Sequence, residues 1–366
     1  MRISIIGTRG YPYVYSGYET LVSELVPRLV ARGHEVTVYC HRGLFNSFPS
    51  FVNGVRLRYM FSVKSKILSQ FTNSFLSTLD SLFRNYDAVL YVNSANGPLG
   101  FLTRFARTRT AINVDGLEWL RPKWKGLGAK YFYFASRLAT KHFDAVVTDS
   151  NCMAEIYQKE FGAPSTVIAY GASLAVSKDP TLLRSYGVSP NEYYLVVGRM
   201  IPDNNAAIIA QGFSQSKTKR KLVIVGDVPY TDAYADALRQ TKDPRVVFTG
   251  YIRDQEVLRE LYCNSYAYIH GHEFGGTNPT LLLALASGCC VLAMDTVFNR
   301  EVLNGEEYGI FFQKDPNEIT RLIDRVDNDV SIVDVFRSKA RRRITERYTW
   351  ERITDQYELL FKKMVV

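Results

Sequence analysis

Short β-rich runs alternating with helical segments, twice over, restrict what this chain can fold into more than any other feature. The first series is "ISIIG" (3–7), "EVTVYC" (35–40), "VRLRYM" (55–60), "DAVLYVN" (87–93), "TAINV" (110–114), "DAVVTD" (144–149) and "TVIAY" (166–170). Between most of them, apolar residues recur at three- and four-residue spacing, as at Leu21, Leu25 and Leu29. Strands buried on both faces read as unbroken apolar runs, so this alternation predicts a doubly wound parallel sheet covered by helices. The stretch "GASLAVSKDPTLLRSYGVSPNE" (171–192) breaks the rhythm and reads as a linker. A second series follows: "YYLVVG" (193–198), "KLVIVG" (221–226), "RVVFTG" (245–250), "AYIH" (267–270) and "CVLAM" (290–294). The fold expected is α/β, with two Rossmann-like domains over 1–172 and 190–345. Their parallel sheets are expected to face each other across a cleft, where ligands of such sheets bind. The closing pattern "RRRITERYTWERITDQYELLFKKMVV" is amphipathic and strandless, and 346–366 is expected as a helix crossing back to the first domain.

The chain leaves its first strand through "GTRGYPYVYSGYE" (7–19), a loop with three glycines, a proline and four tyrosines. Free N–H groups where such a loop opens a helix can cradle an anion. Gly7, Gly10 and Gly17 do not have the G-x-G-x-x-G spacing of dinucleotide sites, and no G-x-x-x-x-G-K-[ST] loop occurs. The loop therefore suggests an anion near its end without naming it, and a ligand-free turn is the alternative. Its tyrosines read as packing.

A second cradle is encoded in "YIHGHEFGGTNPTLLLALASGCCVLA" (268–293). A strand ends, the loop presents His270, His272, Glu273, Gly275, Gly276, Thr277 and Asn278, and Pro279 opens a helix, a position where proline is well tolerated. Glu273 sits where a carboxylate can hold sugar hydroxyls or steady positive charge on a sugar ring. In "NVDGLEW" (113–119), Asp115 and Glu118 lie just past a strand end. Asp115 is read as positioning or deprotonating an acceptor hydroxyl; the alternative is an Asx turn at Asp115-Gly116, with Glu118 as a helix cap. His270 and His272 are read evenly as ligand contacts or as structural residues.

Charge separates the halves. Residues 1–180 hold 21 Lys and Arg against 12 Asp and Glu, whereas residues 181–366 hold 24 of each. A basic first half suggests a polyanionic partner: nucleic acid, an anionic membrane surface or a phosphorylated lipid. Within 101–142, Arg104, Arg107, Arg109, Arg121, Lys123, Lys125, Lys130, Arg137 and Lys141 mix with Trp119, Trp124 and Tyr131 to Phe134. Such a mixture suits a membrane-interface patch gripping a lipid diphosphate, with an ordinary solvated basic face as the alternative. No apolar stretch reaches the ~18 to 20 residues of a membrane span, and "MRISIIG" enters a strand at once, so no signal peptide is expected. The five cysteines are scattered without C-x-x-C or histidine partners, which suits a reducing cytoplasm and argues against structural zinc.

Taken together these motifs resemble glycosyltransferase family 4, retaining enzymes of the GT-B fold, and in particular its rhamnosyltransferase-like branch for bacterial surface polysaccharides. The matching stretches are "GTRGYPYVYSGYET", "RGHEVTVYCHR", "NVDGLEWLRPKW", "YGA" (170–172), "VVGRMIPDNN" (196–205), "GGTNPTLLLAL" and "ERYTWERITDQYELL". The resemblance runs from residue 1 to about 361. It implies that Ser16 and Gly17 meet the donor's pyrophosphate, with Thr277 and Asn278 opposite, and that Arg199 pairs with the phosphates. It also implies that the backbone around Gly250 to Ile252 meets the nucleobase, and that Glu273 is the first of the family's paired glutamates. The second glutamate, which holds ribose hydroxyls, is Leu283 here; Ser16 replaces a glycine; and a lysine common in the family is Asn204.

The function expected is that of a retaining hexosyltransferase. It would move L-rhamnose from dTDP-L-rhamnose to a sugar on a polyprenyl diphosphate, in the cytoplasm at the inner face of the membrane. No cofactor and no metal are expected: Arg199, backbone amides and helix N-termini would balance the leaving-group charge. Other donors (UDP- or GDP-sugars) and a catalytically weak nucleotide-sugar binding protein are the alternatives. A nucleic-acid module is disfavoured, because no such motif occurs.

Overall fold

The computed structural model describes residues 1–12, 17–63, 65, 68–105, 108–121, 124, 126–228 and 232–365. The chain divides into two units, residues 1–170 with 350–366, and residues 171–349.

The first unit is built on β1 (Arg2–Ile6), β2 (Glu35–His41), β3 (Phe51–Val52), β4 (Val55–Met60), β5 (Ala88–Val92), β6 (Arg109–Asn113), β7 (Ala145–Thr148) and β8 (Thr166–Val167). They form one sheet in the order β3-β4-β2-β1-β5-β6-β7-β8, parallel except for the β3–β4 hairpin. Central β1 pairs Ile3 with Val36 on one side and with Ala88 on the other. All five residues of β5 are buried, as an interior parallel strand requires. The connecting helices are α1 (Gly17–Ala31), α2 (Leu68–Leu82), α3 (Gly100–Thr103), α4 (Leu127–His142) and α5 (Asn151–Phe161). Leu21, Leu25 and Leu29 of α1 do form its buried stripe, with Val22 and Val26.

The second unit has β9 (Tyr193–Val197), β10 (Lys221–Val225), β11 (Val246–Gly250), β12 (Ala267–His270), β13 (Val291–Met294) and β14 (Ile310–Phe312). Their order is β11-β10-β9-β12-β13-β14, and every pairing is parallel. Around them lie α6 (Ala206–Gln215), α7 (Ala233–Arg239), α8 (Gln255–Cys263), α9 (Pro279–Ser287), α10 (Val297–Leu303), α11 (Pro316–Asn328) and α12 (Val330–Arg347). One core joins Tyr194, Ile209, Phe213, Ile224, Ile269, Leu292 and Ile323. The two parallel α/β units confirm the fold class that the alternation predicts.

Two segments differ from expectation. The stretch read as a linker is docked onto its unit by Glu260 of α8, which is fully buried. Ser177 Oγ, Lys178 N and Asp179 N donate to its carboxylate at 2.5, 2.7 and 3.1 Å. Burial pushes this carboxyl up, but those donors, with Arg259, outweigh it and hold the pKa down to about 2. The closing amphipathic pattern is broken into α12 and α13 (Trp350–Val365). Tyr348 leaves the helical backbone, and its carbonyl accepts from Ala172 N instead of extending the helix. Helix α13 packs on α1, β5 and β6 of the first unit, where Arg32 pairs with Asp355 at 2.7 Å and Glu358 at 2.8 Å.

Candidate functional site

In the first unit, the end of β6 brings three acids together. Asn113 Nδ2 donates to Tyr357 Oη of α13 (2.8 Å), and Val114 N to Val147 O (2.9 Å), so the strand end is fixed from both sides. The chain then turns at Gly116, with φ +82°, and presents Asp115. Tyr170 Oη donates to Asp115 Oδ2 at 2.7 Å. Tyr18 Oη meets both backbone groups of Asp115, accepting from its N–H (3.1 Å) and lying 3.3 Å from its carbonyl oxygen. Burial, and then the negative charge of Asp115, push both phenols well above the ordinary tyrosine range, so they remain neutral donors. Glu118 and the buried Asp149 also raise Tyr18. Glu118 itself is engaged: Trp124 Nε1 donates to Oε2 at 2.6 Å, and Arg121 Nε stands 3.1 Å from Oε1. That arrangement ties its turn together.

The first loop is only partly described. Ser16, with residues 13 to 15, lies outside the described residues; Gly17 opens α1. Gly7 and Gly10 serve close packing, since a Cβ on Gly7 would stand 2.4 Å from Val92 O, and one on Gly10 2.9 Å from Cys40. Buried Glu19 holds the loop by accepting from Arg9 N at 2.9 Å. Of the loop's tyrosines, Tyr11 is buried and Tyr18 holds the backbone of Asp115, while Tyr13 and Tyr15 lie outside the described residues.

In the second unit, the ends of β9 and β12 adjoin. A Cβ on Gly198 would lie 2.9 Å from His272 and 3.0 Å from Asn204, so only glycine lets the β9 end approach the β12 loop. Asn204 Nδ2 donates to Arg199 O at 2.8 Å, fixing the turn that exposes the Arg199 guanidinium. Among the described residues that guanidinium has no ion-pair partner. The His270 and His272 rings stack at 4.5 Å. His270 is fully buried, which pushes its pKa down to about 3 and keeps it neutral. Its Nδ1 meets Tyr268 Oη (3.1 Å), which donates to Thr280 Oγ1 (3.0 Å), which in turn donates to Asn278 Oδ1 (2.8 Å). Asn278 also caps α9 by accepting from Thr280 N, so these bonds tie β12 to the helix N-terminus. Gly275 has φ +111°, and Gly276 and Thr277 are buried beside it. Glu273 Oε2 is paired with Lys314 Nζ at 2.7 Å, with Asn205 Nδ2 at 3.4 Å. Ile252 is buried, and its backbone makes no hydrogen bond among the described residues.

The structure thus gathers Asp115 and Glu118 in one unit, and Arg199, Asn204, His272, Glu273, Gly275, Gly276, Thr277 and Asn278 in the other. Tyr18, Tyr170, Asp149 and Lys314 were not foreseen. Tyr170 stands in the "YGA" stretch, which signals its place but not its partner, and Lys314 has no local signal at all.

Residues 15–175 match the family model Glycosyltransferase Family 4, and residues 191–329 match Glycosyl transferases group 1. An uncharacterized glycosyltransferase of Methanocaldococcus jannaschii is 22% identical over 249 residues, 64% of this chain and 64% of that protein. The Campylobacter jejuni protein named N-acetylgalactosamine-N,N'-diacetylbacillosaminyl-diphospho-undecaprenol 4-alpha-N-acetylgalactosaminyltransferase is 24% identical over 157 residues, 42% of each chain. The chain spans under two thirds of the length of either curated relative. Among solved structures, Anabaena HepE in complex with UDP superposes with a TM-score of 0.79 over 99% of this chain and 100% of that one, at 16% identity. The chain thus matches a glycosyltransferase family model in each of its two units, and its fold is that of GT-B enzymes.

Proposed function

We propose that the protein transfers L-rhamnose from dTDP-L-rhamnose, with retention of anomeric configuration, to a sugar on a polyprenyl diphosphate during bacterial surface-polysaccharide synthesis. The observation that carries this reading is the exposed Arg199 guanidinium, without an ion-pair partner among the described residues, on the strand end beside the loop that opens α9. A guanidinium fork next to free helix N–H groups suits a diphosphate. As the bond from the sugar's anomeric carbon to the diphosphate oxygen breaks, its electron pair leaves with the nucleotide diphosphate. Arg199 and the α9 amides receive that charge in place of a metal, and Glu273 steadies the positive sugar ring. The acceptor hydroxyl, oriented by Asp115 and giving up its proton to it, bonds to the anomeric carbon from the face the diphosphate leaves, so the configuration is retained.

The deoxyribose donor is supported by Leu283, half-buried on α9 where the family's ribose-binding glutamate stands. A UDP-sugar is the second reading, favoured by the HepE complexes with UDP and UDP-glucose. The lipid-linked acceptor is supported by the diphospho-undecaprenol substrate in the name of the C. jejuni relative. Peripheral binding to the cytoplasmic face of the membrane is supported by the basic stretch 101–142, of which Arg107, Lys123 and Lys125 lie outside the described residues.

Thermal shift with dTDP, UDP and GDP, followed by turnover with a lipid-linked acceptor with and without EDTA, tests the proposal. dTDP should stabilise most, and turnover should persist in EDTA. Stabilisation by none of the three would overturn the donor site; stabilisation without turnover would leave a binding protein; and loss in EDTA restored by magnesium would remove the metal-free mechanism.

A further inference from the structure

Helix α2 is inside out. A helix on a sheet normally buries its apolar stripe, as α1 does with Leu21, Leu25 and Leu29. The buried residues of α2 are instead Asn73, Ser74, Ser77, Thr78 and Ser81. They are satisfied there: Ser77 and Thr78 donate to the carbonyls of Asn73 and Ser74 at 2.7 and 2.8 Å, and Asn73 Nδ2 reaches Cys40 O and Met60 O. The opposite stripe faces out, with Leu68 52%, Phe71 45% and Phe75 37% exposed and the two phenylalanine rings stacked at 6.4 Å. Beside α2 packs α3, whose Phe101 is 55% exposed, and Phe105 just beyond it is 77% exposed. Isolated exposed apolar residues are ordinary, but a continuous stripe built by turning the polar face inward marks an interaction surface.

We propose that the outward face of α2, with Phe101 and Phe105, inserts into the interface of an anionic phospholipid bilayer. Charge identifies the occupant. The stretches 61–79, 88–114 and 119–143 contain no Asp or Glu, yet hold two, three and six Lys or Arg respectively, of which Lys64, Lys66, Arg107, Lys123 and Lys125 lie outside the described residues. A second copy of the chain would set these basic stretches against their own like, whereas anionic headgroups complement them. The form is that of a helix lying in the interface: α2 is about 22 Å long, and among the described residues no helix is long and apolar enough to cross a membrane. Its position fits too, since Gln70 Nε2 donates to Gly7 O at 2.7 Å, so the apolar stripe begins beside the first loop. The inference deepens the proposed function by assigning membrane contact to a hydrophobic face as well as to basic side chains.

The test is co-sedimentation of the full chain with vesicles containing phosphatidylglycerol, and with vesicles of phosphatidylcholine alone. The parent should bind the anionic vesicles. Phe71→Ser/Phe75→Ser should weaken that partition by about tenfold or more, the scale expected from withdrawing two large side chains from an apolar phase. Phe101→Ser/Phe105→Ser should act in the same direction, and the nucleotide-induced thermal shift of every variant should equal that of the parent. That shift reads the proposed function separately, so failure of one idea is distinguishable from failure of the other. Absence of vesicle binding by the parent overturns the inference, as does unchanged binding by both double variants. A solution dimer that the Phe71/Phe75 variant dissociates would also overturn it, by making the face a self-interface.

Discussion

The turn after β6 and the turn after β12 leave the same end of their respective sheets, yet are made of opposite materials. The first gathers carboxylates: Asp115 beside Tyr18 and Tyr170, with Glu118 and Asp149 near enough to shift Tyr18. The second is glycine-rich, opens a capped helix and borders an arginine without an ion-pair partner among the described residues. Like charges repel, so the first turn is a poor host for a diphosphate and a good one for a hydroxyl that must lose a proton. The second reverses both preferences. On the proposed reading, the second turn suits the anion and the first suits the hydroxyl.

Substitutions can break that division. The largest effect is expected from Asp115→Asn, which should lower turnover by about 10²-fold or more, the scale of general-base and positioning roles, and leave nucleotide affinity intact. Near-normal turnover would reduce Asp115 to a turn former. Next comes Arg199→Ala, expected to weaken donor binding by about 1.5 to 3 kcal/mol, the range for hydrogen bonds to charged groups. Unchanged affinity by calorimetry would move the anion site elsewhere. The smallest effect belongs to Lys314→Met. The Lys314–Glu273 pair is half exposed at its lysine, so its loss should change turnover by no more than about fivefold, in keeping with ion pairs worth up to ~1 kcal/mol. A loss approaching that of Asp115→Asn would make Lys314 part of the sugar site.

The strands were legible because burial on both faces demands unbroken apolar runs, and β5, β9 and β12 are wholly buried. The loop after β12 was legible because its glycines, cap and proline are adjacent in sequence. The environment of Asp115 was not: its phenolic partners come from 97 residues before it and 55 after it, and no local pattern records such a meeting. Helix α2 has a clear helical period, but which stripe faces the sheet is decided by hydroxyls satisfied on their own helix, a choice that periodicity cannot express.

The hydrogen bond between Asn113 and Tyr357 has a consequence in time. The strand that leads to Asp115 is buttressed by a helix, α13, made only after the whole second unit has been synthesised. Domains generally fold as they emerge during synthesis. Here the first unit must wait, incomplete, while residues 171–349 emerge and form their own core. Completion of the first unit thus depends on α13, so loss of residues 350–365 should impair the first unit before the second. Limited proteolysis of a chain ending at residue 349 would show it, with fragments from the first unit disappearing while 171–349 resists.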